Sequence, residues 1–184
     1  MKQALIVIDV QESFRRRPYF SATDAPQFLR NVQSLINRCT ARDIPIVQVF
    51  HEETGDDNPF NPACGYVRTM DGLDISPAEV FYKQVHSAMF GRSRAGTSLE
   101  EWLRARGIGE LLVTGIRTEQ CCETTTRHAS DLGFGVRFVT DATLTFPMQT
   151  RAGRAVSAAE IRERTELVLD GRFARIASSA DALG

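Results

Sequence analysis

VTGIRTEQCCETTTRHASDLGFGVRFVTDA, residues 113–142, decides the fold. Val113 to Ile116 closes an apolar run, ELLVTGI at 110–116, which reads as a buried strand. A helix is expected from about Glu119 to Leu132, with Gly133 placed to end it. GVRFVTDAT then returns as a second strand. Strand, helix and strand in that order form a parallel βαβ unit.

Working outward, the same alternation fills the chain. QALIVID at 3–9 is a continuous apolar run ending in a carboxylate, and reads as a buried parallel strand. Phe28, Val32, Leu35, Ile36 and Cys39 fall at helical spacing and predict a helix near 25–42. IPIVQVF at 44–50 and EVFYKQ at 79–84 read as strands. Between them lies a polar stretch from His51 to about Pro77, longer than an ordinary connection, which favours a lid or functional loop over a spacer. Thr97-Ser-Leu-Glu100 and Ser157-Ala-Ala-Glu160 have the form of capping boxes, and open helices to about Arg106 and Leu169. FARIAS at 173–178 supplies a sixth strand. The expectation is one α/β domain over residues 1–184, a three-layer αβα sandwich around a six-stranded, mostly parallel sheet.

Composition narrows the function. The 184 residues carry 22 Lys plus Arg against 23 Asp plus Glu, a net charge of -1, which argues against a nucleic-acid partner held by bulk charge. Apolar residues are 42% and charged residues 24%, as in a globular protein. The opening apolar run, Ala4 to Ile8, is too short for a signal core or a membrane span, so no membrane partner and a cytoplasmic location are expected. Thiols stay reduced there. Cys39, Cys64, Cys121 and Cys122 show neither C-x-x-C nor zinc-ligand spacing and read as free thiols. No G-x-G-x-x-G or P-loop pattern is present, so no cofactor is expected.

In open α/β sheets ligands bind beyond the carboxyl ends of the strands. Three reactive side chains fall at or near such ends: Asp9, Lys83 and Cys121. Taken singly, each has an ordinary reading, as a structural cap, a solvated edge lysine and a small core residue. Their coincidence at one edge of the sheet points to chemistry.

The residues also resemble those of the isochorismatase-like cysteine hydrolases. The family's Gly-x-x-Thr-x-x-Cys turn, followed by Gly-x-x-Val and Asp-Ala, is matched by Gly115, Thr118, Cys121, Gly133, Val136, Asp141 and Ala142. Asp9-x-Gln11-x-x-Phe14 is similar to its opening block. Lys83 with Ser87-Ala-Met-Phe90 is similar to its Lys-x-x-x-Ser-Ala-Phe block with one residue inserted. The resemblance implies a catalytic triad of Asp9, Lys83 and Cys121 and a sheet order of 3-2-1-4-5-6. It implies a cis peptide between Ile116 and Arg117, and homo-oligomers. Phe14 and Phe90 would wall a substrate pocket, although each could equally belong to the core.

Physical chemistry gives the three residues roles. A helix N-terminus and a nearby ammonium would lower the Cys121 thiol pKa. Asp9 would take the thiol proton and hand it to a leaving amine. Lys83 would hold Asp9 ionised, and the backbone N–H groups of Arg117 and Cys121 would form an oxyanion hole. Cys122, the rival nucleophile, points about 100° away on the helix and reads as core. With the sheet order that the resemblance implies, Lys83 starts two strands from Asp9, about 10 Å, so its side chain must lean inward.

Departures from the family narrow the reading. Nicotinamidase-like members carry a metal site after the second strand, with Asp-x-His and a second His. Here Val49-Phe50-His51 is followed by Glu52, Glu53 and Thr54. His51 with Glu52, Asp56 and Asp57 could suggest a metal, but a solvated acidic loop is favoured, and no metal site is expected. Arg15, Arg16 and Arg17 read as a solvated patch, and His86 and His128 have no partner at ligand spacing. Arg117 stands where relatives have a small residue. It could face the pocket and select an anionic substrate, or turn to the surface or to Glu119 or Glu123. The function expected is metal-independent hydrolysis of a carbon–nitrogen bond in a small amide, carbamoyl or ureido compound, through a thioester. The alternatives are a non-catalytic binding or interaction member of the fold, and a thiol redox protein using Cys121 and Cys122.

Overall fold

A computed structural model describes residues 1–184. Its central sheet joins β1 (Lys2–Ile8), β2 (Ile46–His51), β3 (Glu79–Lys83), β4 (Ile108–Ile116), β5 (Gly135–Leu144) and β8 (Arg175–Ala177). Their order is β3-β2-β1-β4-β5-β8, and every pairing is parallel. The expected order is therefore observed. The last sheet strand is the eighth in the chain because a small antiparallel hairpin, β6 (Met148–Gln149) with β7 (Ala155–Val156), intervenes. Strands of two residues leave no periodicity to read.

The pleat of β1 separates two cores. Ala4, Ile6 and Ile8 face one cluster, with Leu99, Trp102 and Leu103 of α2 (Leu99–Ala105) and Ala129 of α3 (Glu123–Asp131). Leu5 and Val7 face the other, with the Phe28, Val32, Leu35, Ile36 and Cys39 stripe of α1 (Ala25–Thr40). This is the three-layer arrangement that buries both faces of a parallel sheet. The last helix, α4 (Ala158–Leu169), starts at the expected Ser157–Glu160 capping box.

Two local expectations are corrected. The α2 box is formed by Ser98 and Glu101, one residue later than expected. Thr97 is already used by the preceding turn, where its carbonyl accepts the Ser93 N–H at 2.9 Å. The helix expected from Glu119 is also not regular at its start. Thr118–Cys122 forms one wide turn, with the Cys122 N–H reaching back five residues to the Arg117 carbonyl at 3.2 Å, and α3 begins only at Glu123.

The long stretch after β2 folds back over the end of β1. The Glu12 and Ser13 N–H groups donate to the Arg68 and Tyr66 carbonyls, each at 3.0 Å, and the Met70 N–H donates to Val10 at 3.0 Å. Phe60 from this loop meets Phe14 edge to face, with centroids 5.0 Å apart.

One glycine fixes how β1 and β4 end. Gly115 pairs with Ile8 at φ +138°, and a Cβ built there would lie 2.0 Å from the Ile8 carbonyl oxygen. Both the backbone angle and the space exclude a side chain. Gly133, at φ +84°, has only the angle against it, because nothing lies within 4 Å. Gly115→Ala should therefore cost about 3 kcal/mol or more, and Gly133→Ala about 1 kcal/mol. Urea midpoints of the two variants check this, and equal shifts would remove the close approach as the reason for Gly115.

Candidate active site

Asp9 directly follows β1 and adopts a left-handed φ of +54°, a conformation Asp tolerates better than most side chains. Its N–H donates to the Val49 carbonyl at 2.8 Å, and its carbonyl accepts the Gln11 N–H at 2.8 Å. The chain thus turns off the sheet with the carboxylate wholly buried. Lys83 closes β3, two strands away, and its extended side chain crosses the intervening β2. Its Nζ donates to Asp9 Oδ2 at 2.7 Å and to Cys121 Sγ at 3.6 Å. The reach that sequence could not demonstrate is present.

Cys121 lies on the wide turn after β4. A cis peptide joins Ile116 to Arg117, as the resemblance implied. Thr118 anchors the turn, its hydroxyl 2.8 Å from that of Thr143, which in turn donates to the Thr140 carbonyl at 2.8 Å. Residue exposures are 0% for Asp9, 3% for Lys83 and 7% for Cys121, so the cluster is nearly sealed from water. Cys122 is fully buried on the core side of the same turn, and the cysteine sulfurs are not bonded to one another.

This burial corrects the expected thiol chemistry. The Cys121 pKa is raised, first by loss of water and then by the Asp9 charge, and Lys83 offsets only part of that. For Lys83, burial disfavours the ammonium, but Asp9 and then Cys121 outweigh it and the pKa rises. Asp9 Oδ1 has no hydrogen-bond partner, which leaves an acceptor free beside the thiol.

The remaining residues singled out from sequence are dispersed around this centre. Phe14 is buried in the core against Phe60. Phe90 is 64% exposed and lies 4.7 Å from the ring of His128, bordering a cleft of about 470 Å³ that Lys83 and Arg94 also line. Arg117 meets Glu119 at 2.9 Å and lies 5.1 Å over the Tyr19 ring, which is the ion pair weighed as an alternative. Its Nε nevertheless has no partner. The arginine patch is solvated as expected at Arg15 and Arg16, while Arg17 is half-buried and lies 4.9 Å over the Phe60 ring. His128 has its Nδ1 2.9 Å from the Ser87 hydroxyl.

Sequence reading misplaced His51. It is a largely buried neighbour of Lys83, with Nδ1 3.3 Å from Nζ, and Nε2 lies 3.0 Å from Glu53 Oε1. Buried Gln11 fixes it by taking the His51 N–H at 2.9 Å and donating to its carbonyl at 3.0 Å. The only sequence signal for this link is Gln11 two residues after Asp9.

Comparison with known proteins agrees with the fold. The family model for the isochorismatase domain matches residues 3–170. The chain belongs to the isochorismatase family, a family of hydrolases. It is 33% identical over 157 residues to nicotinamidase 3 of Arabidopsis thaliana, covering 78% of this chain and 73% of that one. It is 26% identical to the isochorismatase-family protein YrdC of Bacillus subtilis, over 95% and 91% of the two chains. The crystal structure of an isochorismatase-family protein from Chromobacterium violaceum superposes with a TM-score of 0.87 at 31% identity, covering 98% and 91%.

The Asp9–Lys83 pair has a measurable signature. Lys83→Met strands a buried carboxylate and should cost about 3–5 kcal/mol, most of it regained on adding Asp9→Asn. Because the Lys83 pKa lies above its ordinary 10.5, the pair's contribution is full below that pH and is lost as pH rises through the folded value. Urea unfolding of both variants between neutral and alkaline pH checks both points. A double variant no more stable than Lys83→Met would remove the ion pair as the cause.

Proposed function

We propose that the protein is a cysteine hydrolase of a carbon–nitrogen bond in a small amide, carbamoyl or ureido compound. The observation that carries the reading is the single ammonium of Lys83 bound both to Asp9 and to Cys121. The nicotinamidase relatives support the amide class of substrate.

In the proposed reaction Asp9 takes the thiol proton as the Cys121 sulfur attacks the carbonyl. The high resting thiol pKa fits this order, in which deprotonation accompanies attack. Lys83 balances the negative charge passing between carboxylate and sulfur. The oxyanion is met by the backbone N–H groups of Arg117 and Cys121, and the Arg117 N–H makes no other backbone hydrogen bond. The Asp9 proton passes to the departing nitrogen, whose bond to carbon breaks, and a thioester remains. Water, deprotonated by Asp9, then attacks the thioester and releases the acid and the thiol.

No metal takes part in this reading. Both ring nitrogens of His51 are engaged within the protein, one by Lys83 and the other by Glu53. Phe90 edges the pocket, whereas Phe14 belongs to the core behind Phe60. Arg117, whose Nε is free, favours substrates carrying a carboxylate.

The test is ammonia release from a panel of small amides, carbamoyl compounds and ureides. Cys121→Ser and Asp9→Asn should each lose about 10³-fold or more in rate, while Cys122→Ser keeps most of it. Equal losses in the two cysteine variants, both folded, would undo the assignment. Dialysis against a chelator should leave the rate unchanged, and a loss restored by added zinc or manganese would overturn the metal-free reading. Arg117→Ala should raise KM for an acidic substrate while barely changing a neutral amide. Loss on neither would remove Arg117 from the pocket.

A further inference from the structure

His51 is half-buried beside the site, and the reaction above does not use it. Lys83 offers three N–H donors and no acceptor. Asp9 Oδ2 at 2.7 Å, His51 Nδ1 at 3.3 Å and Cys121 Sγ at 3.6 Å are the acceptors around it. Since an ammonium can only donate, Nδ1 must be the bare nitrogen of a neutral imidazole. The proton then sits on Nε2 and is donated to Glu53 Oε1 at 3.0 Å. Glu53 is held in turn by the Asn58 amide at 2.6 Å and by Arg17 at 3.6 Å. Every member of this chain is fixed by its own partner, from the partly exposed Glu53 to the sealed thiol.

We propose that His51 is a positioning residue, a neutral acceptor that holds the Lys83 ammonium against Asp9 and Cys121. The proposal rests on the hydrolase reading only for the use made of that ammonium. Without the acceptor at Nδ1, the long lysine side chain has two anchors instead of three and loses its seat on the sulfur. A protonated His51 would set a second cation 3.3 Å from Nζ, with the same effect. The charged and titratable groups facing the ring are Lys83 on β3, Asp9 after β1 and Glu53 on its own loop, with Arg17 behind Glu53. Burial first, and then Lys83, keep its pKa below the ordinary value, whereas Asp9 and Glu53 oppose them.

Two measurements that need no turnover test this. The first is the rate at which iodoacetamide alkylates Cys121 near neutral pH, followed by peptide mass, with the partly exposed Cys64 as internal reference. His51→Phe keeps the ring against Phe60 but offers no acceptor, and should slow Cys121 about tenfold, one pKa unit of lost thiolate stabilisation. His51→Asn returns an acceptor near Nδ1 and should recover to within about threefold of the wild-type rate. The second is NMR titration of His51, one of only three histidines. It should show the Nε2–H form, and its pKa should rise in Lys83→Met. An unchanged rate in His51→Phe, equal losses in both His51 variants, or a His51 titration indifferent to Lys83→Met would overturn the proposal. None of these outcomes depends on hydrolysis, so failure here leaves the hydrolase reading intact. Failure of the amide panel leaves this one intact.

Discussion

Two opposite charges, Asp9 and Lys83, meet at 2.7 Å with both side chains closed to water. Such a pair is no gift to stability, because loss of hydration offsets much of the attraction. It persists because the backbone places its members before the side chains choose. β1 ends in a left-handed turn at Asp9, β3 ends at Lys83, and the β2 strand between them fixes their separation. The core on each face then excludes the solvent that would otherwise separate them. Once the pair is in place, the third partner follows. Gly115 lets β4 press against the Ile8 carbonyl, so the turn after β4 delivers Cys121 to the same ammonium.

The sealed setting changes the chemistry of the Cys121 thiol. A thiol at a helix start beside a lysine would ordinarily be read as a standing thiolate. Here the first turn is wide rather than α-helical, burial removes water, and the nearest charge besides Lys83 is the carboxylate of Asp9. The balance pushes the thiol pKa up, against the lowering that a helix start and a lysine would give.

The fold was legible because a parallel sheet buried on both faces writes itself as uninterrupted apolar runs, and ELLVTGI or QALIVID admit few other readings. Asp9, Lys83 and Cys121 were legible because strand ends in such a sheet share one edge. What could not be read depends on side chains meeting across loops. His51 looked solvated because its neighbours Glu52 and Glu53 are acidic, yet those charges are spent on Arg94 and on His51 itself. The wide turn at Thr118–Cys122 has no composition signal, since its departure from α-helix is set by the Arg117 carbonyl receiving the Cys122 N–H. The Cys121 pKa was misjudged for the same reason. Sequence shows which charges are near, but not how much water has been removed around them.

Arg117 shows how a cation can be stored in an otherwise closed site. Its partner Glu119 is itself tied to the Thr145 hydroxyl at 2.6 Å, and Tyr19 and Phe146 stack nearby. The guanidinium is therefore held flat and neutralised, which removes the cost of leaving a cation buried and unpaired. A planar fork has five donors, and one carboxylate cannot use them all. The unpartnered Nε is what remains. The same ion pair that neutralises the guanidinium leaves that nitrogen buried with no partner of its own.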